Sequence, residues 1–166
     1  MTATYEKIAT NTITTNTASY TFTSIPGTYT DLVLIIGNAE HSNASQNTIQ
    51  LNSDTGSNYS RQALSASDTS NTGQRIGGTV MYLDWNGYPS VNGSKDYTGV
   101  WNFMNYANTT TYKTVIGRGS SASTGVVASA GMWRSTSAIT SIKLIPANPS
   151  FFISYGVYTL YGIKAE

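Results

Sequence analysis

Tyr20 and Phe22 alternate with Ser19 and Thr21, and Ile142 and Leu144 alternate with Ser141 and Lys143. A period of two sends successive side chains to opposite faces, so these segments predict strands with one face inward and one in water. No i, i+3, i+4, i+7 stripe is sustained anywhere. Leu, Glu and Lys are few, while β-branched Thr, Val and Ile together with twelve Tyr suit a pleated sheet. The pattern predicts strands at Tyr5–Thr12, Ala18–Thr23, Asp31–Asn38, Asn47–Asn52, Arg61–Ala66, Thr79–Trp85, Thr98–Tyr106, Tyr112–Arg118, Val126–Trp133, Ile139–Pro146 and Phe152–Ile163. Turn signals separate them: Ile25-Pro26-Gly27, Ser53-Asp54-Thr55-Gly56, Trp85-Asn86-Gly87, Val91-Asn92-Gly93 and Pro146-Ala147-Asn148-Pro149. Short strands punctuated this regularly predict an all-β sandwich or barrel.

Two segments break the alternation. Asp31-Leu32-Val33-Leu34-Ile35-Ile36 is apolar on both faces, and the last strand carries Ile153, Tyr155, Val157, Tyr161 and Ile163 on one face with Phe152, Tyr158 and Leu160 on the other. A strand covered on both sides of a two-layer protein needs a second cover, from its own long loops or from another subunit. The second option makes Leu32, Leu34, Ile36, Phe152, Tyr155, Tyr158 and Tyr161 the candidate oligomer interface.

Length and composition narrow the picture further. At 166 residues, without an internal repeat, linker or charge block, the chain predicts one domain over 1–166 with a sizeable core. Cysteine is absent, so disulfides, thiolate metal sites and a cysteine nucleophile are excluded together. Charged residues are 10 % of the chain and the net charge is +1, with the nine basic residues scattered singly, which argues against nucleic acid as a partner. Neutral hydrogen bonders supply solubility, since roughly a third of the chain is Ser, Thr or Asn where charge alone averages about a quarter. No apolar run approaches the roughly 20 residues that span a bilayer, and Met1 to Lys7 has no leader pattern, so no membrane contact and a product made in the cytoplasm are expected.

Candidate chemistry is sparse. The sole histidine, His41, lies in a polar stretch without a Gly-x-Ser-x-Gly elbow elsewhere, and so reads as a loop histidine. Asp31, Asp54, Asp84 and Asp96 fall at strand ends or turns, where Asp bonds its own backbone, and nothing pairs two of them as glycosidase carboxylates. Asn52 to Asn58 spaces oxygen ligands around Gly56 but lacks the acidic density of a calcium loop. The four Asn-x-Ser/Thr tripeptides at Asn43, Asn58, Asn92 and Asn108 are what a chain this rich in those residues produces by chance. Asp84, Trp85, Asn86 and Tyr88 place aromatic rings beside polar groups at a turn, a pairing suited to a host surface glycan, although Trp85 and Tyr88 suit packing onto the sandwich as well. The expectation is a non-enzymatic chain with no cofactor and no metal.

Tyr5-Glu6-Lys7-Ile8-Ala9, Phe22-Thr23-Ser24-Ile25-Pro26-Gly27-Thr28-Tyr29-Thr30-Asp31-Leu32-Val33-Leu34, Asn52 to Ser60, Asn105 to Lys113, Trp133 to Ile142 and Leu160-Tyr161-Gly162-Ile163-Lys164 follow in order along nearly the whole chain. In these blocks the sequence resembles a family of small virion structural proteins of tailed bacteriophages, of the type found in phages of cyanobacteria and other aquatic bacteria. Tyr82 to Asp96 departs from that pattern. The resemblance implies a jelly-roll-like antiparallel β-sandwich of about ten strands and a place in the virion, on the capsid surface before the tail. It further implies a capsid decoration or cement protein, a homotrimer whose partners are itself and the major capsid protein, with a tail-fibre or receptor-binding module for host glycan as the alternative. It carries over no catalytic residues.

Overall fold

The computed structural model describes residues 4–66, 71–84, 95–122 and 125–164. The chain forms twelve strands among these residues: β1 (Tyr5–Ile13), β2 (Tyr20–Phe22), β3 (Asp31–His41), β4 (Asn47–Leu51), β5 (Tyr59–Ala66), β6 (Asn71–Gly78), β7 (Met81–Tyr82), β8 (Tyr97–Met104), β9 (Lys113–Ser121), β10 (Gly125–Trp133), β11 (Ile142–Pro146) and β12 (Ile153–Ile163). Every pairing between them is antiparallel. They make an all-β sandwich of two sheets, one ordered β1-β12-β3-β8-β9-β10-β5-β6 and the other β2-β11-β4-β7. The hairpins β5–β6 and β9–β10 both extend the large sheet beyond β8. Without them each layer has four strands, β1-β12-β3-β8 over β2-β11-β4-β7, and the chain crosses repeatedly from one layer to the other.

The core lies between the layers. Leu32, Leu34, Ile36, Trp101, Phe103, Tyr158 and Leu160 face it from the large sheet, and Phe22, Ile49, Leu51, Ile142 and Leu144 from the small one. Burying each aliphatic side chain of this kind contributes about 1.5–3 kcal/mol relative to exposure. The large sheet accommodates its bulkiest rings over glycine: a Cβ on Gly99 would lie 2.7 Å from the Tyr97 hydroxyl and 2.9 Å from the Trp101 indole nitrogen. Gly117 lies under the Trp101 ring and Gly162 under Tyr29 in the same way.

This arrangement corrects part of the expected oligomer interface. Leu32, Leu34 and Ile36 are wholly buried inside the monomer, as is Tyr158, so they are core and not contact residues. The reason is that β3 runs down the middle of the large sheet with these side chains beneath the small sheet, and the register places Tyr158 beside Ile36. On its other side β3 is covered by neighbours within the sheet. Val33 is buried between its cross-strand partners Tyr161 and Asn102, and Ile35 alone of that row stays exposed.

Candidate interaction surface

The strands that extend the large sheet alternate without a break. Along β9 and β10, Val115, Gly119, Val127, Ser129, Gly131 and Trp133 point inward and are buried, while Ile116, Arg118, Ser120, Val126, Ala128, Ala130 and Met132 point outward and are exposed. Antiparallel register lines the outward residues into four rows across β8, β9, β10 and β5. These rows are Thr98-Ser120-Val126-Ala66, Val100-Arg118-Ala128-Leu64, Asn102-Ile116-Ala130-Gln62 and Met104-Thr114-Met132-Ser60. Nine of these sixteen positions are apolar, and Arg118 is the only charged one.

Water meets this face directly. Leu64 is 67 % exposed and Val126 54 %, with Met104, Ile116 and Met132 between 40 and 47 %. The first two rows enclose a groove of about 980 Å³ whose walls include Leu64, Val100, Val126 and Ala128, with Arg118 at its edge. Small residues make the hollow: Ala66, Gly73 and Ser120 leave room that larger chains would fill. The largest apolar patch on a monomer is usually about 300–600 Å² and often functional, so this face is the candidate interaction surface.

The titratable groups of the interior lie elsewhere. Asp84 is fully buried, and its carboxylate accepts the Asn47 backbone N–H at 2.9 Å and the Asn47 side-chain amide at 2.7 Å. Burial pushes the Asp84 carboxyl well above its ordinary value, opposed by the two Asn47 hydrogen bonds and by the positive charge of Arg61. His41 is 1 % exposed. Burial takes its pKa down to about 4, with hydrogen bonds to the Ser45 backbone and the Asn47 side chain pulling the other way. His41, Asn47, Asp84 and Arg61 form a polar seam that ties β3, β4, β5 and the segment after β7 together. The seam is sealed from solvent, so its groups hold structure and do not meet a substrate. Among the described residues no three His, Asp or Glu side chains are grouped to hold a metal ion.

The burial of Asp84 also corrects its place among the glycan-contact candidates, because a side chain with no exposed surface cannot reach a sugar. Trp85, Asn86 and Tyr88 lie outside the described residues. Of the remaining interface candidates, Phe152 is exposed just before β12 and Tyr155 is half-buried with the Lys95 ammonium 4.5 Å from its ring centre. Tyr161 is half-buried on the outer face of β12, edge-on to Tyr5. None of these three belongs to the four-row face. The Asn52–Asn58 turn is closed by its own residues: Asp54 accepts the Gly56 N–H at 2.8 Å and the Asn58 side-chain amide at 2.9 Å.

Sequence reasoning passed over Leu64, Ile116, Val126 and Met132. A signal was present, since Gly119 to Trp133 holds no charged residue. It went unread because the inward Gly119, Ser129 and Gly131 are less apolar than the outward Val126 and Met132, which inverts the usual clue to which face is covered. No protein-family model matches the chain, and none of the curated proteins compared with it matches.

Proposed function

We propose that this chain is a non-enzymatic structural protein of a tailed-phage virion, a capsid decoration protein with a jelly-roll fold that works by joining subunits. The observation that carries this reading is the four-row outer face, where large apolar side chains stand in water around a single cation. Natural sandwiches cover such a face or pair it, because exposed apolar surface otherwise drives uncontrolled association. The sealed seam of His41 and Asp84 supports the same view, since the interior's titratable groups are spent on holding strands together. The two four-stranded layers, β1-β12-β3-β8 over β2-β11-β4-β7, with their repeated crossings from one layer to the other, support the jelly-roll assignment. The resemblance of the Ile25-to-Leu34 block and its neighbours to tailed-phage virion proteins supplies the particle.

Immunogold labelling of phage particles that carry the protein tests the reading. Label distributed over the head is the expected result. Label confined to the tail replaces decoration with a tail-fibre role, and particles that never carry label remove the virion reading.

A further inference from the structure

We propose that the outer face of the large sheet pairs with the same face of a second copy of this chain. The two-fold axis runs across the strands, between the row of Val100, Arg118 and Leu64 and the row of Asn102, Ile116 and Gln62. The inference rests on the assembly reading above and names the partner of that face.

Three observations favour a second copy. The first is area. The four strands that carry the rows, β8, β9, β10 and β5, each near eight residues long, span roughly 19 by 26 Å, or about 500 Å² in projection, at standard strand spacing and rise. A stable interface takes about 800 Å² of accessible surface from each partner, and corrugated side chains raise accessible area above projected area. Two such faces together reach the total of about 1,000 Å² that a specific interface must clear.

The second is shape. The hollow of the groove lies along the first two rows, over Ala66, Gly73 and Ser120 and between the standing Leu64 and Val126, while Met104, Ile116 and Met132 stand up from the last two. An isologous contact requires that a surface carry both the knob and the hole it fills. Rotation about the stated axis lays the fourth row over the first, so that Met132 of one copy meets Val126 of the other and Met104 meets Thr98. Sheets packed face to face in this manner keep their strands within about 30° of alignment.

The third is charge. A partner rich in acidic groups would find one cation in sixteen outward positions, whereas self-pairing has only the two copies of Arg118 to accommodate. The same axis keeps them apart. Each Arg118 lies over Ile116 of the other copy, with Asn102 on the neighbouring strand offering an amide oxygen to the guanidinium. Pairing of one broad face closes at two copies, so it gives a dimer where the family resemblance implies a trimer.

The absence of cysteine makes a clean test. Sedimentation velocity of the wild-type chain is expected to show a dimer, and Ile116→Lys is expected to weaken it by roughly two orders of magnitude, because the change enters the symmetric interface twice. Ile116 is 45 % exposed, so the lysine leaves the core intact and the far-ultraviolet circular dichroism spectrum should not change. A mixture of Val126→Cys and Met132→Cys chains should join through a bismaleimide that spans the roughly 10 Å between packed sheets, while Met132→Cys alone should not. A wild-type chain that stays monomeric at every concentration overturns the proposal. So does an Ile116→Lys chain as dimeric as the wild type, or Met132→Cys linking to itself as readily as to Val126→Cys. The outcome is separable from particle labelling: a dimer missing from virions leaves this inference standing and removes the virion reading, and a monomer found on capsids does the reverse.

Discussion

The Trp133 indole N–H donates a 2.7 Å hydrogen bond to Oδ2 of Asp54, which ties the end of β10 to the turn between β4 and β5. Trp133 also stacks on Tyr59, with ring centres 6.4 Å apart, and the Tyr59 hydroxyl accepts the Leu51 N–H at 2.9 Å. The two hairpins that extend the large sheet are therefore clamped to the small sheet at this corner. Asp54→Ala strips the acceptor from a buried indole N–H and from the Asn58 amide, and a hydrogen bond to a charged group contributes about 1.5–3 kcal/mol. A loss near 2–3 kcal/mol in urea unfolding is expected, with Asp54→Asn recovering part of it. The Asp54 carboxyl is held below its ordinary value, chiefly by Trp133 and then by Asn58. Its contribution is accordingly present above the unfolded value of 3.8 and is lost as pH falls through the lower folded value. An Asp54→Ala chain as stable as the wild type at neutral pH would show that the clamp is idle.

Gly117 gives a sharper structural test. A Cβ at this position would overlap both the Trp101 ring and the Val100 carbonyl, and the carbonyl belongs to a paired strand that cannot swing aside. Gly117→Ala is expected to cost about 1–3 kcal/mol from overpacking, against the small gain alanine brings by stiffening the unfolded chain. Gly77→Ala is the comparison: its added Cβ comes no nearer than 3.4 Å to any atom, and its stability should change far less. Equal effects at the two sites would mean that the space under Trp101 is not what requires glycine.

These particulars explain what the sequence could and could not convey. The sequence pattern located β2 and β11 by period-two alternation, and β1, β3, β4, β5, β8, β9, β10 and β12 by runs of β-branched and aromatic residues between turn signals. It missed β6, where Asn71-Thr-Gly-Gln-Arg-Ile-Gly-Gly has almost no apolar or β-branched content and becomes a strand only through pairing along β5. It placed Leu32 and Tyr158 at a subunit contact because a doubly apolar strand looks alike whether its cover is Tyr161 on the next strand or another molecule. The candidate surface suffered most. Which face of β9 and β10 is buried depends on where β7 and the small sheet lie, and no local pattern encodes that.

His41 predicts an acid-sensitive core. Its pKa falls from 6.5 in the open chain to about 4 in the fold, with burial the main cause, so the folded state refuses a proton that the unfolded state accepts. The stability it contributes is present above 6.5 and drains away as pH falls toward 4, reaching about 3 kcal/mol at the full shift. Urea midpoints at neutrality and at about pH 4.5 should differ by most of that amount in the wild type and by clearly less in His41→Gln. If both chains lose stability in parallel, the sensitivity belongs to other groups.

Asp84 makes the opposite prediction from the same seam. Its folded value is raised by burial, so its favourable contribution is complete below 3.8 and is lost as pH climbs through the folded value. Asp84→Ala removes the acceptor for the Asn47 backbone and side-chain donors and takes the opposing charge from buried Arg61, so a loss of about 3–5 kcal/mol is expected. Asp84→Asn keeps one acceptor oxygen and cannot ionise. Its stability relative to wild type should rise as pH increases from below the ordinary carboxyl range to above neutrality. That direction discriminates between a carboxylate retained for its hydrogen bonds alone, which would leave the difference flat, and one whose charge is a burden the fold carries to fix Asn47 and Arg61 in place. Parallel denaturation curves for the two chains across that range would decide for the former.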